Sequence, residues 1–421
     1  METMAPEATV TNISAPQKPD GQHPAHWGGV YAMSLCVFAL IASEFMPVSL
    51  LTPMAAELQV SEGMVGQGIA ISGLFAVLTS LSVATLAGSM NRKTLLLGLT
   101  GLMALSGALV ALAPGYLLFM VGRALIGVVI GGFWSMSAAT AMRLVPASKV
   151  PRALAVFNGG NALATVLAAP LGSYLGSIIG WRGAFFCLVP VALLALVWQW
   201  ISLPSMPGGT RPAGTGGIFA VFRELKNKPV AWGMAACGSF FMGQFVLFTY
   251  IRPFLETVTR VDAATVSLVL LVIGAAGFAG TLLIGRYLGK RLYRTLVAIP
   301  VLMAIIAAAL VPTGDWLAAV VVLLGLWGLM STSAPVGWWS WIAKAMPHNA
   351  EAGGGLMVAV IQTSIALGST LGGVLFDSAG YRGTFLAAAA ILAAATVLAF
   401  MTSRVTDRTA GTSNTLSSNP D

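Results

Sequence analysis

Long apolar runs, separated by short polar stretches, set the pattern of this chain. Each run is about 20 residues, enough for a helix to cross a hydrocarbon core roughly 30 Å thick. Twelve are present, near 29–51, 66–88, 95–113, 116–139, 153–178, 184–203, 230–251, 265–287, 295–312, 316–342, 354–376 and 384–402. One longer polar stretch, "LPSMPGGTRPAGTGGIFAVFRELKNKP", divides them six and six. Its Gly/Pro-rich start reads as a flexible linker, and "IFAVFRELKNK" as a short interfacial helix. The pattern predicts an all-α integral membrane protein. Residues 1–28 form a polar tail without signal-peptide features, 29–203 a first six-helix bundle and 204–229 the linker. Residues 230–403 form a second bundle, and 404–421 a Ser/Thr-rich tail read as disordered.

The halves also repeat. "LGSYLGSIIGWRGAF" (171–185) aligns with "LGGVLFDSAGYRGTF" (371–385), each after the fifth run of its half. A parallel repeat of six-helix halves, with a site between them near mid-membrane, is a transporter architecture.

Composition sharpens this. Of 421 residues, 57% are hydrophobic and 9% charged, against roughly 25% charged in soluble domains. The net charge of +8 would suit nucleic acid, but its distribution argues for membrane orientation. If the N-terminus is cytoplasmic, seventeen Lys/Arg lie on that side and four opposite, with Arg123 inside the fourth run. Both termini and the linker are therefore expected in the cytoplasm of a bacterial inner-membrane protein, with no nucleic-acid partner. Cys36, Cys187 and Cys237 have no paired spacing, so neither disulfide nor metal is implied. No catalytic constellation and no phosphate-binding Gly-Lys-Ser/Thr loop is visible, which leaves enzyme activity and ATP drive without support.

Glu44 is the only acidic residue well inside an apolar run. Burial disfavours its charged form, and intramembrane ionisable groups usually serve function. Proton coupling is one reading; a hydrogen bond that merely joins helices is the other. Arg123 reads either as counter-charge to Glu44 or substrate, or as a side chain snorkelling to the outer interface. Trp134, Asn158, Asn161, Gln244, Tyr250, Trp338 and Gln362 are the polar and aromatic candidates for a cavity wall, with Trp339 and Trp341 beside them. Such groups suit a flat heteroaromatic ligand by stacking and amide hydrogen bonds. The tryptophans also fit a role as interfacial anchors.

Several segments resemble the major facilitator superfamily, drug:proton antiporter type. "GRALIGVVIGGFW" resembles its fourth-helix motif, with Arg123, Gly127 and Gly131. "AAPLGSYLG" resembles its antiporter motif, with Ala169 where Gly is usual before Pro170, followed by Gly172. "EFMPVSLLTPMA" resembles its first-helix signature, with Pro47 and Pro53. Together with "SEGMVGQ", "GQFVLFTYIRP", "PVGWWSWI" and "VAVIQ", they look like the purine-ribonucleoside exporters of that family. The resemblance implies proton-driven efflux of nucleosides such as inosine by a monomer without cofactor. Sugar or multidrug efflux is the alternative, and a membrane receptor that binds without translocating is the alternative of another class. The superfamily usually has Asp-Arg after the second helix; here it is Asn91-Arg92, which removes a carboxylate that helps latch the two halves.

Overall fold

The structure, a computed structural model, describes residues 25–86, 90–146, 149–207, 224–346 and 350–417. Residues 1–24 of the expected N-terminal tail and the middle of the linker lie outside these residues. So does most of the expected interfacial helix, of which a 3-10 turn, Glu224–Lys226, is described. The first helix begins at Trp27, two residues before the expected span.

The first half holds α1 (Trp27–Leu58), α2 (Glu62–Leu86), α3 (Arg92–Ala111), α4 (Tyr116–Arg143) and α5 (Val150–Ser202). The second holds α6 (Lys228–Phe248), α7 (Ile251–Thr257), α8 (Ala263–Thr313), α9 (Leu317–Ala345) and α10 (Ala350–Ser417). Among the described residues ten helical stretches are long and apolar enough to cross a membrane. Two of them, Arg152–Ser202 and Gly353–Val405, run to 51 and 53 residues, about twice what one crossing needs. Each is broken at a glycine, Gly180 (φ 74°) and Gly380 (φ 66°), so the described residues supply twelve crossings.

Those glycines explain the sequence repeat. Both take extended ψ at positive φ, a region essentially closed to residues with a Cβ. The residues after them repeat too. The Arg182 guanidinium lies 4.3 Å from the Trp181 ring centre, and Arg382 lies 5.9 Å from that of Tyr381. Arg182 also donates to the Ala113 carbonyl (2.7 Å) and pairs with Glu57.

One expectation is corrected at the C-terminus. The chain does not become irregular at Arg404; α10 continues to Ser417. Extending an existing helix adds one hydrogen bond per residue fixed and needs no new nucleus, so a polar sequence can follow an apolar one.

Helices α2 and α4 approach closely because small residues face their contact. A Cβ on Gly127 would overlap the Ser72 carbonyl, and one on Gly131 the Ala76 carbonyl. Gly172 lets α5 lie on Met46 and Ser49 of α1. The halves meet mainly through α2 with α10 and α5 with α8. Pro170, inside α5, leaves the carbonyl of Val166 without its helical N–H, and Gly274 of α8 packs directly on it.

Candidate functional site

Helix α1 carries Glu44 between two helix defects. A proline has no N–H, so it frees the carbonyl four residues earlier. Pro47 therefore frees Ser43, and Pro53 frees Ser49. In a bilayer such a carbonyl must find another donor.

Arg123 of α4 answers the first. Its Nη1 donates to the Ser43 carbonyl at 2.7 Å, its Nε to the Gly68 carbonyl at 3.1 Å and its Nη2 to Ser72 Oγ at 3.1 Å. A longer contact, 3.4 Å, reaches the Glu44 carbonyl. One buried guanidinium thus joins α1, α2 and α4. Burial overturns one of the two readings of Arg123 and leaves the other open. At 1% exposure it does not snorkel; its hydrogen bonds go to carbonyls and the Ser72 hydroxyl, and its charge reaches the Glu44 carboxyl through space.

Glu44 is 8% exposed and sits where α1 meets the second half. Its neighbour Phe45 stacks on Phe245 (6.2 Å, 26°) and meets Phe248 edge-on. Gln362 of α10 approaches the Glu44 carboxyl across the gap between halves. Gln244 of α6 is nine-tenths buried, and its Oε1 has no hydrogen-bond partner. A buried amide oxygen without a donor is a rare and costly feature, and a ligand N–H or O–H would satisfy it.

The remaining candidates separate into two groups. Trp134 and Asn161 are half-buried and Asn158 is exposed, so all three reach a surface of the first half. Trp134 stands edge-on to Phe157, and Asn158 Nδ2 returns to the Leu154 carbonyl (2.9 Å). Trp339 is also exposed. Tyr250 and Trp338, expected on the cavity wall, are instead sealed in packing. The Tyr250 hydroxyl donates to the Ser369 carbonyl (2.9 Å), its ring stacks on Phe376 and it fills the space above Gly66. Trp338 lies edge-on to Trp341, which packs on Gly233 inside the second half and is no interfacial anchor.

Hydrogen bonds between the halves cluster at the end marked by Ser61 and Asp377. Asp377 accepts from Ser61 Oγ (2.5 Å) and from the Gly63 N–H (3.1 Å), capping α2 from the opposite half. Thr370 bonds Gln67 at 3.0 Å. Sequence reasoning missed Arg252, which hydropathy placed in an outer loop. It is 5% exposed and reaches Ser49. The spacing from Pro53 to Ser49 was the available signal.

Asn91 and Arg92 serve the other end. Asn91 Oδ1 caps α3 by accepting from the Lys93 N–H (2.9 Å) and also accepts from the Met206 N–H (3.1 Å). Its Nδ2 donates to Ser205 Oγ, and the Arg92 N–H donates to the Met206 carbonyl. The amide in place of the usual carboxylate docks the start of the linker onto α3.

Two six-helix halves hydrogen-bonded to each other at one end, with a buried carboxyl midway along α1, define a membrane transporter rather than an enzyme. The Major Facilitator Superfamily model matches residues 33–362, and the chain belongs to that superfamily. It is 69% identical over 378 residues to "Transcription regulatory protein OpdE" of Pseudomonas aeruginosa, covering 90% of this chain and 94% of that one. It is 38% identical over 369 residues to "Purine ribonucleoside efflux pump NepI" of Salmonella typhimurium, covering 88% and 92%. Among solved structures, the nucleoside transporter NupG superposes with a TM-score of 0.71 at 12% identity, over 89% and 98% of the two chains. A bacterial homologue of the lysosomal transporter Spinster, inward-facing and unoccupied, gives 0.70 at 16% identity, over 92% and 98%. At those identities the structures speak for the fold alone.

Proposed function

We propose that this protein is a proton-coupled antiporter that exports purine ribonucleosides such as inosine across a bacterial inner membrane. The observation that carries the reading is Glu44, a buried carboxyl on one half that the buried Gln362 side chain of the other half approaches. A proton and a ligand competing for that carboxyl would be exchanged through one shared group. Linkage makes the competition reciprocal: whatever the nucleoside does to proton binding, the proton does to nucleoside binding. The unsatisfied Gln244 Oε1 supplies an acceptor for a base N–H or a ribose hydroxyl. The likeness to NepI supports the substrate class.

Orientation follows from the basic residues. With the Trp27 end of α1 in the cytoplasm, the Ser61/Asp377 end faces outward and is the closed one. Nucleoside then enters from the cytoplasm, and protons return from outside. Asn158, Asn161 and Trp134 are assigned to the cavity wall of the first half.

A second reading comes from the name of the 69% relative, a transcription regulator. Among the described residues the fold is wholly a bundle of membrane helices, with no added soluble output domain. An exporter that lowers the internal level of an inducer reconciles that name with this fold. A receptor that binds without translocating is the competitor. Counterflow of labelled inosine in proteoliposomes separates them: an exporter accumulates label against unlabelled nucleoside inside, whereas a receptor shows binding without accumulation.

A further inference from the structure

We propose that Arg252 is the latch that holds the Ser61/Asp377 end closed, and that Pro53 creates its acceptor by leaving the Ser49 carbonyl without a helical N–H. The inference rests on alternating access but not on the identity of the substrate.

Arg252 sits on α7, the short helix after α6 ends at Phe248. Its guanidinium crosses to the first half, where Nη1 donates to the Ser49 carbonyl of α1 and lies 3.4 Å from Ser173 Oγ of α5. Ser49 and Ser173 are fully buried. Glu256, one helical turn on, holds the rest of the fork: its Oε1 accepts from Nε at 2.9 Å and pairs with Nη2 at 2.8 Å. The carboxylate stays in the second half and aims the guanidinium at α1.

The two prolines of α1 are therefore used differently. The carbonyl freed by Pro47 is satisfied within its own half by Arg123. Among the described residues the carbonyl freed by Pro53 is satisfied from the other half, by Arg252. Opening this end must break the Arg252–Ser49 bond, and Ser49 then has no intrahelical donor to fall back on. The closed state is thus favoured by a charged hydrogen bond whose acceptor exists because of a proline.

The test reads the distance between the two halves directly. Spin labels go on cysteines replacing exposed Ala56 and Ala379, in a chain whose native Cys36, Cys187 and Cys237 are alanine. Pulsed electron double resonance in lipid nanodiscs gives the ratio of open to closed distances. Arg252→Met should raise that ratio about tenfold, the effect of losing one charged hydrogen bond. Pro53→Ala gives Ser49 a helical N–H, so opening no longer strands its carbonyl, and the ratio should rise with every side chain of the latch intact. Combining the two should match Arg252→Met alone, because the same interaction is lost twice. Pro47→Ala should leave the ratio unchanged.

Arg252→Met at the parental ratio, in protein that still elutes as a single folded species, would overturn the latch. So would equal effects of Pro47→Ala and Pro53→Ala, which would mean that the prolines act through helix stiffness. Should Arg252→Met misfold, Pro53→Ala decides alone, since it only restores a helical bond. None of these outcomes depends on nucleoside transport, which counterflow tests separately.

Discussion

Two freed carbonyls on α1 account for two arginines buried in an apolar molecule. Removing Arg123 strands the Ser43 oxygen, so Arg123→Met should cost about 1–3 kcal/mol of stability. Adding Pro47→Ala should recover much of that loss, because residue 47 then donates to Ser43 itself. Thermal unfolding in detergent of the single and double variants checks both statements. The amides carry a different expectation. Gln244→Leu and Gln362→Leu should each weaken nucleoside binding by roughly tenfold, the worth of one hydrogen bond to a ligand. Binding of an apolar drug should be unaffected, as isothermal titration can show; equal losses for both ligands would make the amides structural. Glu44 was legible in the sequence because a lone carboxylate interrupts an apolar run. Arg252 was not, because hydropathy sees a cation near a span end and assigns it to a loop. Tyr250 and Trp338 were misplaced for a related reason: residue type says what a side chain can bind, not which way its helix turns it.

At the scale of elements, close contact between α2 and α4 depends on Gly127 and Gly131. A larger residue must push the helices apart, at a typical overpacking cost of about 1–3 kcal/mol. Gly127→Leu should therefore insert and remain helical yet lose most transport, because α2 also carries the contact with α10. Normal transport by that variant, measured beside its circular dichroism, would contradict the role given to this contact. The crossings were legible from run length alone. The helix breaks were less so: nothing in the apolar pattern marks Gly180 and Gly380, but their recurrence in the 171–185 and 371–385 repeat does, and φ explains it. Hydropathy also could not foresee that α10 continues past the apolar run to Ser417.

For the whole molecule, the six-plus-six division was legible from one polar linker, and the orientation rests on the count of basic residues. Reporter fusions active only outside the cytoplasm should be silent at both termini and in the 204–229 linker; a signal from the linker would overturn the arrangement. The approach of Gln362 to Glu44 was not legible, since the two are 318 positions apart and only the fold brings them together. Glu44→Gln keeps the shape of the side chain but removes the proton site, and it should fold, because an amide costs less to bury than a carboxylate. The most direct measurement is proton release from purified protein in weakly buffered detergent at about neutral pH on adding inosine, the range in which such exchange must operate. The parental chain should release protons on binding and Glu44→Gln should release none while still binding, more weakly. Equal release from both proteins, or none from the parental chain while inosine binds, would contradict exchange through Glu44.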